Sequence, residues 1–105
     1  SRDASAIKQA IVNLLLTNKG ERPFNYDYGS DIRSYLFEPL DFGTAQAIQT
    51  NIEYSVTSFE PRIRIVQLEV IPNFDDNGFD VEMVYKIIGS DEPPTAVEFF
   101  LTRTR

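Results

Sequence analysis

Glu21, Asp27, Asp31 and Glu38 could supply the two carboxyl groups of a glycoside hydrolase. That reaction needs an acid and a base or nucleophile about 5–9.5 Å apart across a sugar-binding groove. There is no tryptophan to form a sugar-stacking platform, and all four acids are equally well explained as loop, cap and surface carboxylates. Catalysis requires paired acids in a cleft rather than acids alone, so no enzyme is expected. Histidine and cysteine are absent as well. With them go the commonest general base, thiolate nucleophiles, disulfides and most zinc sites. The run Asp75-Asp76-Asn77-Gly78-Phe79-Asp80 carries oxygen ligands that calcium prefers. The twelve-residue loop closed by a glutamate is not present in register, and a charged hairpin turn accounts better for these residues. No metal or cofactor is expected.

Glu60, Pro61 and Arg62 bring an acid, a rigid ring and a guanidinium together where the helical repeat gives way to strand alternation. Pro61 lacks a backbone N–H and pushes Glu60 out of the helical region, so a preceding helix must stop there. Arg62 offers a planar fork of donors that stays charged, and Glu60 a matching carboxylate. The pair either ties the junction internally or meets something outside the chain.

The 105 residues suit one domain with a single core, 42% apolar and 12% aromatic. A net charge of −6 argues against nucleic acid as a partner, since phosphate contacts are made chiefly by Lys and Arg. No apolar run is long enough to cross a bilayer, so no membrane partner is expected. The chain starts at Ser1 without methionine, and an upstream segment is expected to be missing.

Ile7, Ala10, Ile11, Leu14 and Leu15 fall on one helical face between about Asp3 and Thr17, and Val12 and Leu16 widen the stripe. Asp3 or Ser5 is predicted to cap this helix, and Gly20 to end it in the left-handed conformation. The aromatic-rich stretch 20–29 is expected to pack onto the body of the domain. Ser30-Asp31 should cap a short helix with Ile32, Tyr35 and Leu36 inward, ended by Pro39. A third helix is predicted from about Thr44 to Phe59, with a mildly polar face of Gln46, Gln49, Asn51, Glu53 and Thr57 that faintly suggests contact with another subunit.

After Arg62 the period becomes two. The inward phase shifts by one residue near Val66, which a β-bulge would absorb. Pro72 is predicted to close the strand and Asn77-Gly78 to form a type I′ hairpin turn. Phe79, Val81, Met83, Tyr85 and Ile87 mark the clearest strand, and Val97, Phe99 and Leu101 a third, across the proline-rich loop 89–94. The fold class is α+β, with three N-terminal helices (one short) packed on one face of a three-stranded antiparallel meander. Such a sheet keeps an open edge unless something covers it.

Leu15-Leu16-Thr17, Gly20-Glu21-Arg22-Pro23-Phe24, Gly29, Leu36-Phe37-Glu38 and above all Glu60-Pro61-Arg62 run in this order over nearly the whole chain. Together they resemble the small, lysozyme-like baseplate wedge subunits, or sheath initiators, of contractile-tailed phages and type VI secretion baseplates. The resemblance implies a structural protein of the virion tail baseplate, assembled in the host cytoplasm. Its implied partners are the wedge-core proteins, the tail sheath protein and the tail tube, the first sheath ring being added by strand exchange. It also implies that Glu60, Pro61 and Arg62 dock on the wedge core, with Glu21 and Arg22 as further interaction candidates. Family members usually carry a longer N-terminal arm than this chain. A generic strand-addition adaptor is the other binding reading, and it gives Arg62 no special role.

Overall fold

The computed structural model describes residues 2–21 and 27–104. Three helices come first, α1 (Arg2–Leu16), α2 (Ile32–Tyr35) and α3 (Phe42–Phe59). Three strands follow, β1 (Ile63–Asn73), β2 (Gly78–Ile87) and β3 (Thr95–Thr102). The strands form an antiparallel meander in the order β1-β2-β3, and the helices pack on one face of it, as the periodicities predict.

The core lies between the two layers. Ile7, Ile11 and Leu14 of α1, Ile48, Ile52 and Val56 of α3, and Phe79, Val81, Met83 and Tyr85 of the central strand are all buried. Each large aliphatic side chain withdrawn from water contributes about 1.5–3 kcal/mol. These stripes, rather than intrinsic helix propensity, therefore hold α1 and α3 on the sheet. No helix among the described residues is long and apolar enough to cross a membrane.

The phase slip in β1 is a register shift between Ile65 and Gln67. It keeps Ile63 and Ile65 facing inward before it and Leu68 and Val70 after it.

Several local expectations are corrected. α1 is already helical ahead of both Asp3 and Ser5 and ends at Leu16. Gly20, at φ +86°, serves instead the tight turn in which the Glu21 N–H meets the Asn18 carbonyl at 3.1 Å. Asp31 precedes α2 but makes no side-chain cap. α3 starts two residues early because Asp41 accepts the Thr44 N–H at 2.7 Å and caps it. β1 runs through Pro72 to Asn73. Of Asn77 and Gly78 only Asn77 takes a positive φ, at 53°, and Gly78 pairs with Asn73 in the ladder, so the hairpin is not a two-residue type I′ turn. Gly78 is required for another reason: a Cβ there would run into the Phe100 ring and the Leu101 carbonyl.

The residues flanking the aromatic-rich stretch 20–29 are drawn together. The Ser30 N–H reaches the Thr17 carbonyl at 2.8 Å, the Lys19 N–H reaches the Ser30 carbonyl at 3.3 Å, and the Ser30 hydroxyl donates to the Leu15 carbonyl at 3.0 Å. Tyr28 packs edge-on against Phe59 at 5.3 Å between ring centroids. Expectations for Arg22, Pro23, Phe24 and Tyr26 lie outside the described residues.

Candidate functional site

α3 delivers the junction. Its last turn closes when the Glu60 N–H bonds the Val56 carbonyl at 2.8 Å, and Glu60 then leaves the helix at φ −132°, ψ 74°, as a residue before proline must. The Glu60 carboxylate faces inward, 6% exposed, while the Arg62 side chain is 57% exposed. Arg62 Nε donates to Glu60 Oε1 at 2.7 Å and Nη2 donates to Oε2 at 2.9 Å, a bidentate pairing. These bonds from Arg62 hold the Glu60 pKa below its ordinary 4.5, against the opposing push of burial. The carboxylate is thus a charged strut, and the guanidinium is held in one orientation at the surface.

The other candidates sit elsewhere. Glu21 accepts the Asn18 N–H at 2.8 Å and braces its own turn. Arg22 lies outside the described residues. Pro61 is exposed beside Arg62. The structure therefore brings Glu60 and Arg62 together and gives Glu21 a local partner of its own.

The acids first considered for catalysis are also accounted for locally. Asp31 pairs with Lys19 at 3.3 Å, Lys19 lying 5.5 Å from the centroid of the Tyr54 ring. Glu38 and Asp27 are exposed. In the β1–β2 hairpin, Asn73 Nδ2 donates to Asp76 at 3.3 Å and to Asp80 at 3.1 Å, and Asn73 Oδ1 accepts the Asp76 N–H at 3.0 Å. This is how a charged turn is held by an asparagine. No group of three or more acids among the described residues is placed to hold a metal ion.

Two residues of the mild polar face of α3 work inside the molecule. Asn51 is buried and accepts the Asp31 N–H at 2.8 Å, and Gln49 accepts the Val70 N–H at 3.3 Å. Their polarity is thereby spent on bracing α2 and β1.

A family model for baseplate wedge protein gp25 matches residues 1–91. Baseplate wedge protein gp25 of Enterobacteria phage T4 is 36% identical over 87 residues, covering 83% of this chain and 66% of that protein. The chain thus spans just under two thirds of the length of that relative. A Geobacter sulfurreducens protein named "putative tail lysozyme" superposes with a TM-score of 0.82 at 20% identity, covering 100% of this chain and 96% of that one. A chain of the baseplate complex from the type VI secretion system gives 0.72 at 18% identity, covering 98% and 96%. At these identities the two structures speak for the fold. The matched span takes in both long helices, the Glu60–Arg62 junction and the first two strands, and the chain belongs to the baseplate wedge protein gp25 family.

Proposed function

We propose that this chain is a non-enzymatic wedge subunit of a contractile tail baseplate, in which residues 1–105 act as one domain. It docks on the wedge core through the Glu60–Pro61–Arg62 junction, with Glu21 and Arg22 contributing. Its sheet then receives a strand from the first ring of tail sheath. The site of action is the virion tail, assembled in the host cytoplasm, and the tail tube is a further neighbour. Membership of the family supports the role. The observation that supports the junction is the bidentate pair itself: a buried carboxylate orients a guanidinium that is 57% exposed. An oriented Arg loses little freedom on binding, which is why such residues serve as interface anchors.

The test is co-elution with the neighbouring wedge-core protein, comparing wild type with Arg62→Ala and Arg62→Lys and checking the fold by circular dichroism. Loss of the complex with the fold intact supports docking through Arg62. Retained binding moves the interface to the helices or the sheet edge. The lysozyme name belongs to a protein alike in fold at 20% identity and carries no catalysis over. Peptidoglycan turnover by the purified chain, lost on Glu21→Gln, would overturn the non-enzymatic reading.

A further inference from the structure

The two edges of the sheet are chemically different. Antiparallel strands alternate residues that exchange bonds with their neighbour and residues that turn their N–H and C=O away from it. On β3 the phase is set by the Arg103 N–H, which bonds the Asn77 carbonyl at 3.0 Å, one position beyond the Gly78–Thr102 pair. Thr95, Val97, Phe99 and Leu101 therefore bond β2, and Ala96, Glu98, Phe100 and Thr102 turn outward. The Thr104 N–H, in the same phase, meets the Leu36 carbonyl at 2.9 Å, which confirms the direction and marks where the edge closes. From Ala96 to Thr102 no further strand among the described residues pairs with β3.

The β1 edge is blocked. Val70 points its N–H outward, and Gln49 of α3 takes it. Pro72, two residues on, has none. Ile63 gives its N–H to the Glu60 carbonyl at 3.5 Å, and the bulge separates the remaining outward positions, Ile65 and Leu68. Bulges, prolines and covering helices are the devices that stop an edge from pairing. β1 has all three and, among the described residues, β3 has none.

Beside the β3 edge an apolar hollow of about 280 Å³ runs between α1 and the sheet, with Val12, Leu15 and Leu16 on one wall and Val97, Phe99 and Leu101 on the other. Leu16 is 71% exposed at its lip. On the helix-free face, Glu69, Glu82 and Glu98 stand directly opposite one another across all three strands, so the row ends at the β3 edge in a carboxylate that makes no ion pair among the described residues.

We propose that β3, and not β1, is the edge that takes the added strand, and that this strand carries apolar side chains facing α1 alternating with a lysine or arginine opposite Glu98. This deepens the strand-addition reading above and rests on it. Open backbone groups give the pairing, the hollow accepts one side-chain phase, and the glutamate row selects a cation in the other. A second copy of this chain is a poor occupant, because edge-to-edge pairing would bring two glutamate rows together.

The experiment is hydrogen–deuterium exchange on the full chain with the cognate sheath protein, together with binding of three variants. Glu98→Lys reverses the outer charge, Leu16→Glu spoils the lip of the hollow, and Ala96→Pro deletes one outward N–H near the start of an edge strand, where proline is tolerated. The expected result is slowed exchange across 95–102 and at least tenfold weaker binding for Glu98→Lys and Leu16→Glu, both exposed positions that leave the core intact. Slowed exchange across 63–73 with 95–102 unchanged would overturn the edge assignment while keeping strand addition. Protection of 95–102 with undiminished binding by Glu98→Lys would overturn the cationic pattern. A dimer in sedimentation that Leu16→Glu dissociates would give the edge to a second copy, and no sheath binding by the wild type would remove strand addition itself.

Discussion

Arg62 closes both arms of its fork on Glu60, two residues back, so a carboxylate 6% exposed is neutralised by a side chain that remains at the surface. Removing the guanidinium strands that carboxylate. Arg62→Ala is expected to lower stability by about 1–3 kcal/mol, the range for losing hydrogen bonds to a charged group. Urea denaturation followed by circular dichroism measures it, and an unchanged midpoint would show that water satisfies Glu60 without Arg62.

The same pair predicts a pH dependence. Glu60 is more acidic in the folded chain than its ordinary 4.5, so its contribution is complete above the unfolded pKa and is lost as pH falls through the lowered one. Asp41 acts in the same direction, because the Thr44 N–H and hydroxyl lower its pKa. The stability gap between wild type and Arg62→Ala should therefore be widest near neutrality and shrink on acidification. Denaturation midpoints taken stepwise from about pH 7 to about pH 3 test this. A gap that widens toward acid would reverse the sign assigned to Glu60.

Gly78→Ala should cost about 1–3 kcal/mol, as overpacking does. Its Cβ meets the Phe100 ring and the Leu101 carbonyl, one movable and one fixed in the ladder. Adding Phe100→Ala should consequently restore only part of the loss. Full rescue in thermal melts would assign the whole constraint to the ring.

Ser55 offers the opposite case. Its hydroxyl is buried in α3 without a hydrogen-bond partner. An unsatisfied polar group of this kind costs about 1–3 kcal/mol, and Ser55→Ala removes it for the loss of one atom. The variant is expected to melt at or above the wild-type temperature. A clear drop would reveal a partner that the serine finds in solution.

What the sequence disclosed was local. The helices followed from apolar spacing, and the slip at Val66 showed as a change of inward phase. The Glu60–Arg62 pair was legible because its members lie only two residues apart, across the turn that leads into β1. Gln49 and Asn51 were not, since their partners lie 21 and 20 residues away and a mild polar face looks the same whether it meets water, a subunit or a backbone N–H. Asn77-Gly78 misled for a related reason: Gly78 answers to Phe100, across the sheet, rather than to the turn beside it. Asp41 was hidden behind Phe42 and Gly43, neither of which announces a helix start.

Arg103 joins segments that are remote along the chain. Its Nε donates to the Glu38 carbonyl at 3.0 Å, its Nη1 to Asn77 Oδ1 at 3.4 Å and its backbone N–H to the Asn77 carbonyl, while Thr104 is tied to Leu36. The end of β3 is therefore riveted to the α2 corner and to the hairpin. A pull along β3 cannot peel it from this end one bond at a time. It must load the whole β2–β3 ladder in shear, with the backbone bonds sharing the force together, which is the stronger way to hang a load on a small sheet.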